Sequence, residues 1–108
     1  FNLTRLALLL TGLATDRMEL LAPGTEDRLH QPYRAALLPG MEVVLEEGRQ
    51  AGALATCLSG AGSSLLALTS GDGEEIGRRM GERWRNEFGI ENRVRLLEID
   101  RQGLVYLE

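Results

Sequence analysis

At 108 residues and 44% hydrophobic content, the chain suits one small domain, 1–108, with a modest core, and it is too short for two. A net charge of −4 argues against a dedicated nucleic-acid binder, which needs a basic footprint to neutralise phosphates. All twelve basic residues are arginine, which excludes a Schiff-base lysine and the lysine of a Walker-type phosphate loop.

The first residue is Phe1, and Leu3, Leu6, Ala7, Leu10, Leu13 and Ala14 follow at helical spacing, as expected of a piece of a longer chain. This pattern predicts a helix over 3–15, with Asn2 as its N-cap and so many leucines that it should be buried. The apolar run at 6–10 is bracketed by Arg5, Asp16 and Arg17 and is too short to span a bilayer; no charged leader precedes it, so no membrane association is expected. Asp16 and Glu19 are spaced as a capping box for a second short helix, which Pro23 and Gly24 end. Thr25, with Glu26 and Asp27 behind it, predicts a further helix start.

Pro32 and Pro39 punctuate the next stretch before a helix over 41–51, with Val44, Leu45 and Gly48 on one face and Gly52 as its C-cap. Short apolar runs at 53–58 and 65–68 then flank Ser59, Gly60, Ala61, Gly62 and Ser63. Such a small-residue loop lets backbone N–H groups approach a bound anion, because no side chain blocks a phosphate or carboxylate. By itself the loop reads first as a hairpin whose glycines only serve the turn, because short glycine patterns are weak evidence. Cys57 is the only cysteine. It lies in a strand-like run, which leaves no disulfide framework or CxxC metal pair and points to a reducing cytoplasm.

After a turn at 70–73, Asp72 and Glu75 are spaced to open a helix carrying Ile76, Met80, Trp84 and Phe88 at intervals of four. Gly73, Gly77 and Gly81 form a neighbouring stripe suited to close packing on a sheet, and Gly89 ends the helix. Runs at 93–99 and 104–107 read as two further strands joined by a turn at 100–103. The order from Met41 is helix, strand, strand, helix, strand, strand. It predicts an α+β fold, a ferredoxin-like antiparallel sheet with helices on one face, preceded by extra helices.

The segment from Thr25 to Gly40, containing Glu26 Asp27 Arg28 Leu29 His30 Gln31 Pro32 Tyr33 Arg34 and ending Leu38 Pro39 Gly40, closely resembles a segment of the homoserine kinases. About twenty residues on, Ser59 Gly60 Ala61 Gly62 resembles the third signature of the wider GHMP kinase superfamily. Order and separation both match, and the resemblance runs from about Leu3 to the end of the chain. Two positions depart from the pattern. Ser63 Ser64 stand where Pro-Thr is usual, and Ala22 Pro23 Gly24 Thr25 interrupt a commonly continuous helix.

The resemblance implies a GHMP kinase carboxy-terminal domain. It assigns Arg34 to the carboxylate of homoserine, which a guanidinium can hold through two parallel hydrogen bonds. Taken alone, Arg34 would read as a surface arginine paired with Glu26 or Asp27. Residues 59–63 are placed at the active-site cleft, against substrate and the transferred phosphate, where backbone donors offset spread negative charge. His30 reads as structural, since no serine, cysteine or carboxylate stands at a recognisable spacing from it. Tyr33 reads as bracing the same turn or as packing, and Arg28 as a surface residue.

The family holds ATP and Mg²⁺ mainly in a separate amino-terminal domain with a Gly-Leu-Gly-Ser-Ser loop, which has no counterpart in these 108 residues. No catalytic residue and no metal ligand is therefore assigned here, and the chain alone is expected to be inactive. The resemblance also implies a homodimer, without indicating which face pairs. A ferredoxin-like sensor domain that binds a small molecule is the alternative. A nucleic-acid surface built on Arg78, Arg79, Arg83 and Arg85 ranks last, because the expected strands carry a single aromatic residue, Tyr106.

Overall fold

The computed structural model describes residues 1–107. Helices α1 (Asn2–Thr15), α2 (Leu21–Gly24), α3 (Gln31–Ala35), α4 (Met41–Gln50) and α5 (Gly73–Phe88) surround a hairpin of β1 (Ala55–Leu58) and β2 (Leu65–Leu68). The class is α+β, as the sequence predicts. The strands pair antiparallel, with Ala55 opposite Leu68 and Leu58 opposite Leu65.

The core lies between α4, α5 and the hairpin. Val44, Ile76, Met80 and Trp84 form one buried cluster, and Met41, Leu45 and Leu58 form another. Helix α4 fits tightly over β1 at Gly48, where a Cβ would stand 2.7 Å from Met80 Sδ and 2.9 Å from Thr56 Cγ2. The buried Thr56 hydroxyl donates to Leu45 O at 3.0 Å and accepts from Arg49 Nη1 at 2.8 Å, so its burial carries no unpaired polar group. Helix α5 opens as predicted, with Asp72 accepting the Glu75 N–H at 3.0 Å. The Glu75 side chain instead turns outward to Arg78.

Several local expectations give way to longer-range contacts. Asn2 is the first residue of α1 rather than its cap, and its side chain is drawn to Asp27 and to the Arg28 N–H. Asp16 is the C-cap of α1 in the left-handed region, so the expected capping box does not form, and a short 3-10 turn over Met18–Leu20 leads into α2. Thr25 closes α2, its hydroxyl donating to Ala22 O. No helix begins at Glu26.

Helix α1 is also less covered than its leucines suggest. It packs on α2 and the 3-10 turn, burying Gly12, while Leu3, Leu6, Leu10 and Leu13 remain exposed.

The expected strands at 93–99 and 104–107 do not form. The first part of this segment runs back along α5 and seats Asn92, Val94 and Leu96 against Gly81, Gly77 and Gly73 respectively. Asn92 Nδ2 donates to Gly81 O at 3.0 Å and fixes the register. The glycine stripe therefore receives an extended chain, where a sheet had been expected. Alternating apolar residues record which side chains share a face; strand formation also needs a backbone edge within reach.

Candidate functional site

The site begins with Asp27. Its carboxylate accepts from the backbone N–H groups of Leu29 and His30, both at 2.9 Å, from that of Gln31, and from the Asn2 side chain. Burial pushes this carboxyl up, but the bonds from Asn2, Gln31, Leu29 and His30 outweigh it and hold its pKa down to about 2. The result is a tight turn that delivers His30 and Gln31 to the start of α3, with Pro32 in its first turn, where a missing N–H costs nothing.

Those two residues reach the glycine loop. Ser59 N–H donates to Ser64 O; counting back from that bonded pair, Thr56 and Leu58 turn their backbone groups to the outer edge of β1. Gln31 Oε1 accepts the outward Leu58 N–H at 2.8 Å, while its Nε2 donates to Thr25 O at 3.2 Å. His30 Nε2 lies 3.0 Å from Gly60 O. Segments thirty residues apart in sequence are thus bonded at the root and at the second residue of the loop.

The loop itself needs glycine. Gly60 and Gly62 have φ of +57° and +90°, a region that side-chain-bearing residues adopt at a cost. A Cβ at Gly60 would meet nothing within 4 Å, so no packing explains that glycine. Ser59 and Gly62 spend their N–H groups inside the loop, whereas no hydrogen bond among the described residues uses those of Gly60, Ala61 or Ser63. Ser63 and Ser64 are exposed.

Arg34 sits three residues after Gln31 on α3, and residues at that spacing share a helix face. Its expected surface partners are occupied elsewhere: Glu26 pairs with Arg5 at 3.4 Å, and Asp27 is committed to its turn. Among the described residues Arg34 makes no ion pair, and it is half-buried. Tyr33 is 73% exposed and braces nothing. Arg28 stacks over the Phe1 ring at 3.7 Å.

A cleft of about 510 Å³ is lined by Gln31 together with Asp27, Arg28, Glu42, Arg49 and Thr56. Neither Arg34 nor the glycine loop lines it; the candidate residues lie instead on the two motifs joined by the His30 and Gln31 hydrogen bonds. The α5 arginines are bound to carboxylates. Arg78 joins Glu75 and Glu82, while Arg79 and Arg83 converge on Glu47 of α4.

The sequence motifs single out Arg34 and residues 59–63 as candidates; the Asp27 turn, the Gln31 bonds and the His30 contact are added by the structure. The available signal was an Asp followed by three residues whose N–H groups it could accept, an alternative to the helix start assigned at Thr25.

The chain is similar to several curated proteins. It is 47% identical over 103 residues to a homoserine kinase of Persephonella marina, across 95% of this chain and 34% of that one. It is 37% identical over 106 residues to a homoserine kinase of Carboxydothermus hydrogenoformans, across 98% and 34%. The crystal structure of homoserine kinase from Cytophaga hutchinsonii superposes with a TM-score of 0.72 at 28% identity, covering 79% of this chain and 28% of that one. The chain thus spans about a third of the length of the relatives it matches. The family model described as GHMP kinases C terminal matches residues 8–94; the chain belongs to that family.

Proposed function

We propose that this chain is the carboxy-terminal domain of a homoserine kinase, which transfers the γ-phosphate of ATP to the hydroxyl of L-homoserine on the route to threonine. The observation that carries the reading is the bonding of the Arg34 segment to the glycine loop through His30 to Gly60 and Gln31 to Leu58. It ties the helix that carries Arg34 to the loop that carries the free N–H donors, which supports reading the two as parts of one site. In this reading Arg34 holds the homoserine carboxylate through two parallel hydrogen bonds. The N–H groups of Gly60, Ala61 and Ser63 face the phosphate as charge spreads over its oxygens, where preorganised donors lower the barrier most.

ATP is the second substrate, and Mg²⁺ supplies charge neutralisation on its phosphates when bound. No group of three or more His, Cys, Asp or Glu among the described residues could hold the metal. The family resemblance assigns both mainly to an amino-terminal domain, and no step is routed through the metal here. The lone free thiol, Cys57, whose pKa burial pushes up, suits a reducing cytoplasm. A homodimer is the assembly the family resemblance favours.

The test is turnover by the full-length protein with homoserine and MgATP, measured as ADP release. Homoserine-dependent turnover is expected. Binding of homoserine without turnover would overturn the kinase reading in favour of a sensor domain.

A further inference from the structure

We infer that His30 is a positioning residue for the glycine loop, holding the Gly60–Ala61 peptide in the orientation that presents the Ala61 N–H to the ligand. The inference deepens the proposed phosphate-binding role of the loop and rests on it. A carbonyl oxygen can only accept, so the 3.0 Å contact between His30 Nε2 and Gly60 O requires the proton on Nε2, with the ring donating. In a planar trans peptide the C=O and N–H point in opposite directions. Anchoring Gly60 O on His30 therefore aims the Ala61 N–H away from the ring, to the open side of the loop.

Among the described residues, no other hydrogen bond is made by the Gly60 carbonyl or the Ala61 N–H. Gly60 is at positive φ with no atom within 4 Å of where a Cβ would stand, so no side chain packs over the loop at that position. The neighbouring Ser59 and Gly62 N–H groups are spent within the loop; Ala61 is one of the few donors left to offer. Upstream, Asp27 accepts the His30 N–H at 2.9 Å and fixes the residue that carries the ring. Orientation thus passes from the Asp27 carboxylate to the His30 ring, to the Gly60 carbonyl and to the Ala61 N–H. Among the described residues the ring has no side-chain partner, as a tether needs none and a proton-transfer couple would.

The experiment compares His30→Ala and His30→Gln with the wild type in the full-length protein, by steady-state kinetics with homoserine and MgATP and by the amide resonance of Ala61 after alanine-selective ¹⁵N labelling. A glutamine retains an N–H donor at similar reach but cannot act as a base. His30→Ala should lower kcat roughly tenfold to a hundredfold, short of the 10²–10³ lost when an oxyanion donor is deleted outright, and leave the homoserine KM within about twofold. His30→Gln should restore most of kcat. The Ala61 resonance should move in His30→Ala and return towards wild type in His30→Gln, whether or not the protein turns over homoserine.

An unmoved Ala61 resonance in His30→Ala overturns the tether. Equal kcat losses in the alanine and glutamine variants overturn it too, pointing instead to the imidazole itself. A wild-type protein inactive on homoserine fails the kinase reading separately, because the resonance still decides the tether.

Discussion

Arg34 owes its availability to two acidic neighbours that are engaged elsewhere, Glu26 with Arg5 and Asp27 with its own turn. Arg34→Ala in the full-length protein should raise the homoserine KM at least ~10-fold, since a charge-assisted bond to a carboxylate is worth about 2 kcal/mol or more. The ATP KM should stay near wild type. Arg34→Lys should recover only part of the loss, keeping the charge without the fork. An unchanged homoserine KM in a folded Arg34→Ala protein would return Arg34 to the surface.

Asp27 makes a different demand, on pH. Its carboxyl is lowered from an ordinary 3.8 to about 2, so the unfolded chain binds its proton first as pH falls. The stability it contributes is complete above about 4 and is lost as pH drops through about 2. Thermal melts should therefore show Asp27→Asn less stable than wild type at neutral pH, with the gap closing over that window. Arg34 was singled out in the sequence as a candidate because its motif is contiguous. The Asp27 hub was not, since one partner, Asn2, lies 25 residues away and no spacing rule links them.

At the scale of elements, the glycine loop and the glycine stripe use the same residue for opposite reasons. The loop leaves space free: Gly60→Val should abolish turnover while lowering the melting temperature only modestly. A β-branched residue at positive φ costs about 1–2 kcal/mol or somewhat more and covers the approach to the N–H groups. A fully active, folded valine variant would show that no anion comes near. On α5, by contrast, Gly73, Gly77 and Gly81 fill their space with Leu96, Val94 and Asn92. Gly77→Ala should dislodge residues 92–96, seen as faster hydrogen exchange there, even though alanine favours the helix by ~1 kcal/mol.

Helices α4 and α5 and the hairpin were readable from periodicity and caps because their signals are local. The segment at 93–99 was misread as a strand for the converse reason: its fate depends on a contact with α5.

For the whole molecule, the sheet has the order β1–β2 and ends at β2. Counting from the Ser59–Ser64 pair, Leu65 and Ala67 turn their backbone groups to that outer edge. A two-stranded sheet is marginal on its own, and an uncovered edge is a template for further pairing. The 108-residue chain in isolation should therefore self-associate with rising concentration in sedimentation velocity. It should also release no ADP with homoserine and MgATP; turnover by this chain, free of contaminating kinase, would place the phosphate machinery within it.

Trp84 is the single tryptophan, 7% exposed, and its indole Nε1 donates to Pro39 O at 2.7 Å, where the Arg34 segment meets α4. Any shift of that segment stretches this bond and changes the polarity around the ring. The chain thus carries an optical probe of its own, and its emission wavelength should report movement of the segment from Arg34 to Pro39 without a label.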